Sequence, residues 1–248
     1  MCFKKPKKIK IFKTDFRGSN SVNNFNLLKN SFDRPVAHER PYDSICSYPE
    51  GFKMIIPGND FINLNATKNW GVILGTKDCT TFKPPFTVST ICRWSPAEFA
   101  LYCPAWIHPV NDMGGRRVKE YDLVEGSRDY VVFTAHDLPD NARIVFDQED
   151  QELFGYNHPD KKAYPRYSMT INPQRWMEYK MQVTIKGITW WGREEGKKSW
   201  YKFHKLKLTV PEIEFYLRVS IIMRESSRGD GPSIPASMDL KLIEITKP

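Results

Sequence analysis

The chain has 248 residues, of which 40% are hydrophobic and 13% aromatic, enough to bury the core of one large domain. No segment approaches 18 consecutive apolar residues, so the sequence excludes a membrane-spanning helix. The net charge of +8 arises mainly from six lysines among residues 1–13, where no acidic residue occurs. A nucleic-acid-binding protein is therefore disfavoured, because the folded part is nearly neutral and lacks an RNA-binding motif.

The first 50 residues are predicted to form two segments that precede the folded domain. Residues 1–13 predict a basic, solvated tail. The sharper alternative is an arm that docks on a nucleic acid, an acidic partner protein or a virion component. Residues 14–50 are rich in Asn, Ser and Pro and predict an extended lead-in that lies over the domain 51–248.

The rest of the chain consists of short runs rich in β-branched and aromatic residues, separated by Pro and Gly. This pattern predicts an all-β fold, a two-sheet antiparallel sandwich rather than a parallel sheet. The predicted strands are 53–57, 70–74, 86–94, 99–107, 118–125, 130–136, 142–146, 176–185, 202–210, 212–223 and 239–245.

Strands 118–125 and 130–136 are separated by Gly-Ser-Arg-Asp at 126–129, which predicts an antiparallel hairpin. Side chains alternate between the two faces of a strand, so Glu120 and Asp122 share one face. Glu125 is three residues further on and reaches that face only if a β-bulge near Val124 restores the parity. We therefore predict a bulge that places three carboxylates together.

The two faces of this hairpin differ in character once the bulge is included. One face is apolar and suits packing against a second sheet; its residues are Tyr121, Leu123, Val131, Phe133 and Ala135. The other carries the carboxylates beside Tyr130, Val132, Thr134 and His136, where His136 could hydrogen-bond a carboxylate or a sugar hydroxyl. A retaining glycoside hydrolase needs two such carboxyl groups about 5 Å apart.

At this motif the chain resembles glycoside hydrolase family 16, in its bulged branch of laminarinase-, agarase- and carrageenase-like enzymes. The strand motif E-x-D-x-x-E carries most of the resemblance. Weaker matches follow the family's order at C-P-A-W-I-H (103–108), T-A-H (134–136), G-I-T-W-W (187–191) and the closing segment 237–245. The resemblance covers about residues 50–248 and implies a concanavalin A-like jelly roll with a concave substrate cleft. In this chain Lys119, Tyr121 and Cys103 replace the family's Gly, aliphatic residue and Trp.

The resemblance implies a double displacement in which Glu120 is the nucleophile, Glu125 the general acid and base, and Asp122 tunes the nucleophile. Three neighbouring carboxylates repel one another, so at least one pKa should be raised, and the acid's role requires a protonated Glu125. Expected substrates are internal β-1,3- or β-1,4-linked glucans or galactans. The alternative is a non-catalytic glycan-binding or virion structural protein on the same scaffold.

Aromatic side chains form the second part of a sugar site, because pyranose C–H faces pack on flat rings. Trp106 is the first candidate, and Trp190 or Trp191 the second, since adjacent strand residues point to opposite faces. No cofactor is expected for catalysis. The resemblance also implies an optional structural Ca²⁺ on the convex face, at Asp239 in the closing strand.

The chain contains five cysteines, an odd number with no C-x-x-C pair, which predicts free thiols rather than a disulfide framework. No apolar segment typical of a secretory signal follows Met1. An enzyme acting on extracellular polysaccharide would then be trimmed from a precursor or, as we expect, released by lysis or carried on a virion.

Overall fold

The computed structural model describes residues 9–14, 26–27, 45–48, 51–56, 70–76, 80–95, 97, 100–111, 119–126, 130–137, 142–147, 153–156, 172–223 and 236–248. All regular structure among them is β-strand, and every strand pairing is antiparallel. The all-β prediction is therefore confirmed. No helix in these ranges is long and apolar enough to cross a membrane. The predicted turn at 126–129 lies partly outside the described residues.

One eight-stranded sheet, sheet A, is built mainly from the two ends of the chain. Its strands are β1 (Ile9–Thr14), β3 (Ile45–Tyr48), β4 (Gly51–Ile56), β6 (Phe86–Trp94), β12 (Met177–Thr184), β13 (Gly187–Glu194), β14 (Tyr201–Leu206) and β16 (Ala236–Lys247). Seven of them lie in the order β14-β13-β12-β6-β16-β4-β3, and β1 pairs with β16 beside this path. β16 is long enough to pair with β4 through its first half and with β1 through its second half.

The second eight-stranded sheet, sheet B, contains the predicted carboxylate hairpin. Its strands are β2 (Asn26–Leu27), β5 (Trp70–Gly75), β7 (Ala100–Pro109), β8 (Lys119–Gly126), β9 (Tyr130–Asp137), β10 (Ala142–Asp147), β11 (Leu153–Tyr156) and β15 (Phe215–Met223). Their order is β11-β10-β9-β8-β7-β15-β5-β2. The strands β7, β8 and β9 therefore occupy the interior of the sheet, where neighbours on both sides fix their positions.

The inner faces of the two sheets bury one continuous apolar core. β12 shows why: Met177, Tyr179, Met181 and Val183 are buried, and the residues between them are partly exposed, as alternation requires. Aromatic rings join the sheets directly. Trp94 of sheet A stacks on Tyr102 of sheet B at 5.6 Å, and Phe203 stacks on Phe133 at 4.6 Å between ring centroids. These contacts establish a two-layer sandwich, as predicted.

The predicted boundaries in the first 50 residues differ from those observed. Residues 9–13 are not a solvated tail, because β1 pairs with the C-terminal strand β16 and buries Phe12 against the core. Lys10 and Lys13 are both exposed, because the register shifts between Lys10 and Phe12. Exposed lysines are typical of an edge strand. β2 and β3 likewise pair within the sheets, so the sandwich does not begin at residue 51. Residues 1–8 lie outside the described ranges.

Candidate active site

A β-bulge in β8 brings the three predicted carboxylates onto one face of sheet B. Asp122 pairs with Thr134 and Glu125 with Val132, so Leu123 and Val124 together oppose the single residue Phe133. Leu123 and Val124 both point into the core. Glu125 is thereby returned to the outer face, beside Glu120 and Asp122. The predicted bulge near Val124 is confirmed, and so is the apolar character of the opposite face.

A second bulge lies in the neighbouring strand β7, at Pro104 and Ala105. Ser220 and Arg218 of β15 are two residues apart, whereas their partners Cys103 and Trp106 are three residues apart. Proline suits a bulge because it has no N–H to donate to a ladder. The extra residue places Cys103 and Trp106 on the same outer face as the carboxylates, and they contact each other in a small apolar cluster with Leu101.

The carboxylates are contacted by polar side chains of the flanking strands. His136 Nε2 lies 3.6 Å from Glu120 Oε1 and 3.4 Å from Asp122 Oδ2. Thr134 donates a hydrogen bond of 2.9 Å to Glu125 Oε2, and Cys103 Sγ lies 3.6 Å from Glu125 Oε1. The structure therefore brings together all three predicted carboxylates and His136, which lies on their face as expected.

The electrostatics of the cluster are dominated by burial. Removal from water raises the pKa of Glu120 well above its usual range, and the negative charges of Asp122 and Glu125 raise it further. His136 and Arg218 oppose this, because their positive charges favour the ionised form. One raised pKa among the carboxyls agrees with the sequence-based expectation. The raised pKa belongs to Glu120, whereas the resemblance to the family required the proton on Glu125.

The sequence analysis missed two polar residues of β15 that extend this face. Arg218 is buried between the rings of Trp106 and Tyr216, at 4.7 and 4.8 Å, and donates to the Tyr216 hydroxyl. Ser220 accepts a hydrogen bond of 3.2 Å from Trp106 Nε1. Polar residues at every second position of an otherwise apolar strand were the available signal. The sequence did not reveal that β15 lies beside β7.

The three tryptophans predicted to bind substrate are placed differently from that prediction. Trp106 lies on the carboxylate face but is only 3% exposed, so its ring forms part of the buried floor beneath the carboxylate site. Trp190 is fully buried between the sheets and donates a 2.9 Å hydrogen bond to the backbone carbonyl of Asp122. Trp191 pairs with Lys180 on the outer face of sheet A, away from the carboxylates. The prediction that Trp190 and Trp191 point to opposite faces of their strand is confirmed. Neither of them reaches the carboxylate face.

Glu120, Asp122 and His136 are also the residues best suited to a metal ion in the described part of the chain, with ligand atoms within 4.8 Å of one another. Carboxylate oxygens and an imidazole nitrogen are ligands that several divalent cations take in proteins. Asp239, the residue expected at a structural Ca²⁺, does not fit that ion. It lies 2.8 Å from Arg93 and 3.5 Å from Lys53, and these two cations would repel Ca²⁺.

Solved structures that share this fold include several glycoside hydrolases. The catalytic domain of an endo-1,3-β-glucanase (laminarinase) from Thermotoga petrophila has a TM-score of 0.67 and 10% identity, over 97% of this chain and 98% of that one. The endo-β-1,3-glucanase of Pyrococcus furiosus has a TM-score of 0.67 and 12% identity, over 97% and 94%.

A non-specific endo-β-1,3(4)-glucanase of family GH16 has a TM-score of 0.68 and 10% identity, over 98% of this chain and 92% of that one. No family model and no curated protein sequence matches the chain. The chain therefore has the concanavalin A-like jelly-roll fold of family GH16 enzymes, as its motif predicted.

Proposed function

We propose that this protein is a retaining, endo-acting glycoside hydrolase that cleaves internal β-linked glucan or galactan polysaccharides. The observation that carries the proposal is the bulge in β8, which gathers Glu120, Asp122 and Glu125 on the outer face of a laminarinase-like sandwich. A bulge leaves one residue unpaired and interrupts the ladder, yet this one lies in the middle of a sheet. The alignment of three carboxylates by this bulge supports a catalytic role for it.

In the first half of the reaction, a Glu120 oxygen attacks the anomeric carbon while the bond to the leaving oxygen breaks. Glu125 donates its proton to that oxygen, so the departing chain leaves as a neutral alcohol. Glu120 must be ionised to attack. Because burial raises its pKa, Glu120 ionises at a higher pH than a surface carboxyl, and its ionised form is less solvated than a surface carboxylate.

In the second half, water attacks the anomeric carbon of the glycosyl-enzyme and Glu125, now ionised, accepts the proton of that water. The bond to Glu120 breaks, and the sugar is released with its original anomeric configuration. Burial is the main cause of the raised pKa of Glu120; Asp122 raises this pKa further and His136 lowers it. The two side chains therefore adjust, in opposite directions, the pH at which the nucleophile becomes available.

The proposed polysaccharide class follows the solved structures, whose names describe action on β-1,3 and β-1,3(4) glucans. The described aromatic residues give no further guidance, because Trp106 is buried and Trp190 and Trp191 lie elsewhere. Neutral glucans and anionic galactans therefore both belong in the first test.

The experiment is a reducing-sugar assay on laminarin, lichenan, agarose and carrageenan, with the anomer of the first product followed by ¹H NMR. We expect release of oligosaccharides from at least one polymer, with the β-anomer formed first. Glu125→Ala should be nearly inactive on the polymer but should recover turnover with an activated aryl glycoside and azide, which replace the proton donor and the water. Binding without cleavage across the panel would identify a glycan-binding protein instead.

A further inference from the structure

Three buried side chains link the floor of the site to Glu125 by consecutive hydrogen bonds. Trp106 Nε1 donates to Ser220 Oγ at 3.2 Å, and Cys103 Sγ donates to Glu125 Oε1 at 3.6 Å. Between them, Ser220 is the hydrogen-bonding neighbour that lowers the pKa of the Cys103 thiol against the larger effect of burial. None of the three residues is more than 5% exposed. The bonds are therefore shielded from solvent, which strengthens their electrostatic component.

The chemistry of the donors favours one direction for these hydrogen bonds. An indole N–H can only donate, so the Ser220 oxygen accepts from Trp106. Toward Glu125 the thiol is the donor, and Cys103 Sγ–H points at Oε1. When the Ser220 hydroxyl proton is directed at the sulfur, the Cys103 proton is left for Glu125.

We propose that Cys103 is a positioning residue that holds Glu125 Oε1 as a permanent hydrogen-bond acceptor, so that Oε2 is the oxygen that carries and transfers the catalytic proton. Thr134 is the partner of Oε2, at 2.9 Å. A hydroxyl can donate or accept, so Thr134 can donate to the ionised carboxylate and turn when Oε2 is protonated. The Cys103 thiol is only a weak acceptor, so it is less able than a hydroxyl to turn in this way.

The thiol remains a donor throughout the working pH range. Burial raises the pKa of Cys103 well above its usual value, and the nearby charges of Glu125 and Asp122 raise it further. A thiolate would repel Glu125, whereas the thiol attracts it. The Cys103 thiol therefore supplies a hydrogen-bond donor at the acid and base residue.

This inference rests on the proposed hydrolase function, and its kinetic test uses leaving groups. Cys103→Ala should lower kcat/KM on an unactivated oligosaccharide about 10- to 100-fold, because a misplaced acid transfers its proton poorly. On a 2,4-dinitrophenyl glycoside, whose departure needs no proton, the loss should be less than about 3-fold. Cys103→Ser keeps an O–H donor and should recover most of the loss.

The matched control is Cys92→Ala, which removes the buried thiol of β6 in sheet A. It should change both substrates by the same factor, as a purely structural defect would. Equal losses on both substrates for Cys103→Ala, or no recovery in Cys103→Ser, would overturn the proposal. A wild-type protein that cleaves neither substrate would instead contradict the hydrolase function.

A second readout tests the bond without any turnover. The infrared S–H stretching band of Cys103, identified by its loss in Cys103→Ser, should lie at lower frequency than that of a thiol without a charged acceptor. In Glu125→Leu the band should move to higher frequency, while the Cys92 band should not move. An unchanged Cys103 band would refute the hydrogen bond to Glu125, whether or not the protein is an enzyme.

Discussion

The outer faces of the two sheets both carry carboxylates, but the charges are paired with cations on sheet A and clustered together on sheet B. On the side of sheet A, Glu178 pairs with Arg193, Glu195 with Lys241 at 2.7 Å, and Asp239 with Arg93. The cations also lie over tryptophan rings, as Lys241 does over Trp176 at 4.1 Å. Each of these three carboxylates is matched by a positive charge, which is the ordinary arrangement of a stable surface.

On sheet B, three carboxylates lie together with His136 as their closest cation among the described residues. Like charges held in a partly dry site are costly to ionise, and the raised pKa of Glu120 reflects this cost. Perturbed carboxyl groups of this kind are concentrated at functional sites. This difference between the two faces supports the proposal that the reaction takes place at sheet B and that sheet A is structural.

The largest expected effect comes from neutralising one carboxylate on each face. Glu120→Gln removes the proposed nucleophile and should lower turnover about 10⁴-fold with little change in oligosaccharide affinity. Glu178→Gln removes an ion-paired carboxylate of sheet A and should change turnover less than about 2-fold. Steady-state kinetics on the best substrate measures both. Similar activities in the two variants would remove the distinction between the faces.

The second effect is a pair of opposite pH shifts in the acid limb of kcat/KM. Activity requires ionised Glu120, so it should rise as pH increases through the raised pKa of this residue. Asp122→Asn removes a negative neighbour and should move the limb to lower pH, whereas His136→Gln removes a positive one and should move it higher. Each shift should be about one pH unit. Shifts in the same direction would show that Glu120 does not set the limb.

A third prediction concerns the supporting role of sheet A. Phe12→Ala should lower the thermal midpoint by about 5–10 °C, because a buried ring of β1 is lost from the core. Turnover of the folded protein should be unchanged. Lys13→Ala, an exposed change on the same strand, is the matched control and should have no measurable effect. If Phe12→Ala changed the thermal midpoint as little as Lys13→Ala, residues 9–13 would be a solvated tail after all.

The smallest predicted effect is a gain in stability from removing the nucleophile's charge. A folded-state pKa above the unfolded value means that stability falls as pH rises through the folded pKa. Glu120→Gln, which never ionises, should therefore melt about 2–4 °C above the wild type at pH 8 and at the same temperature near pH 4. Differential scanning calorimetry at both pH values decides this. Equal midpoints at pH 8 would show that the charge carries no cost.

Local patterns predicted the part of the site that lies on one hairpin. The bulge near Val124 follows from parity within β8, and the place of His136 follows from its pairing with Glu120 in β9. Ser220 and Arg218 could not be placed, because β15 and β7 are separated by more than a hundred residues of sequence. Their pairing depends on packing across the whole domain.

Two of the wrong predictions have similar physical causes. Trp190 and Trp191 must point to opposite faces, but sequence does not show that β13 belongs to the sheet opposite the carboxylates. The lysines of β1 suggested solvent, although Phe12 and Thr14 alternate with Lys13 as an edge strand requires. Its partner β16 is at the other end of the chain, where no local pattern could show the pairing.

The most direct test of the central claim is to trap the covalent intermediate. An activated 2-deoxy-2-fluoro β-glycoside of the sugar that the protein cleaves forms its glycosyl-enzyme faster than the intermediate hydrolyses, and peptide mass spectrometry then locates the modified residue. The account predicts one sugar per protein molecule, bound to Glu120, and no labelling of Glu120→Gln. A label on another carboxylate, or rapid cleavage of the natural glycan with inversion and no label, would contradict it.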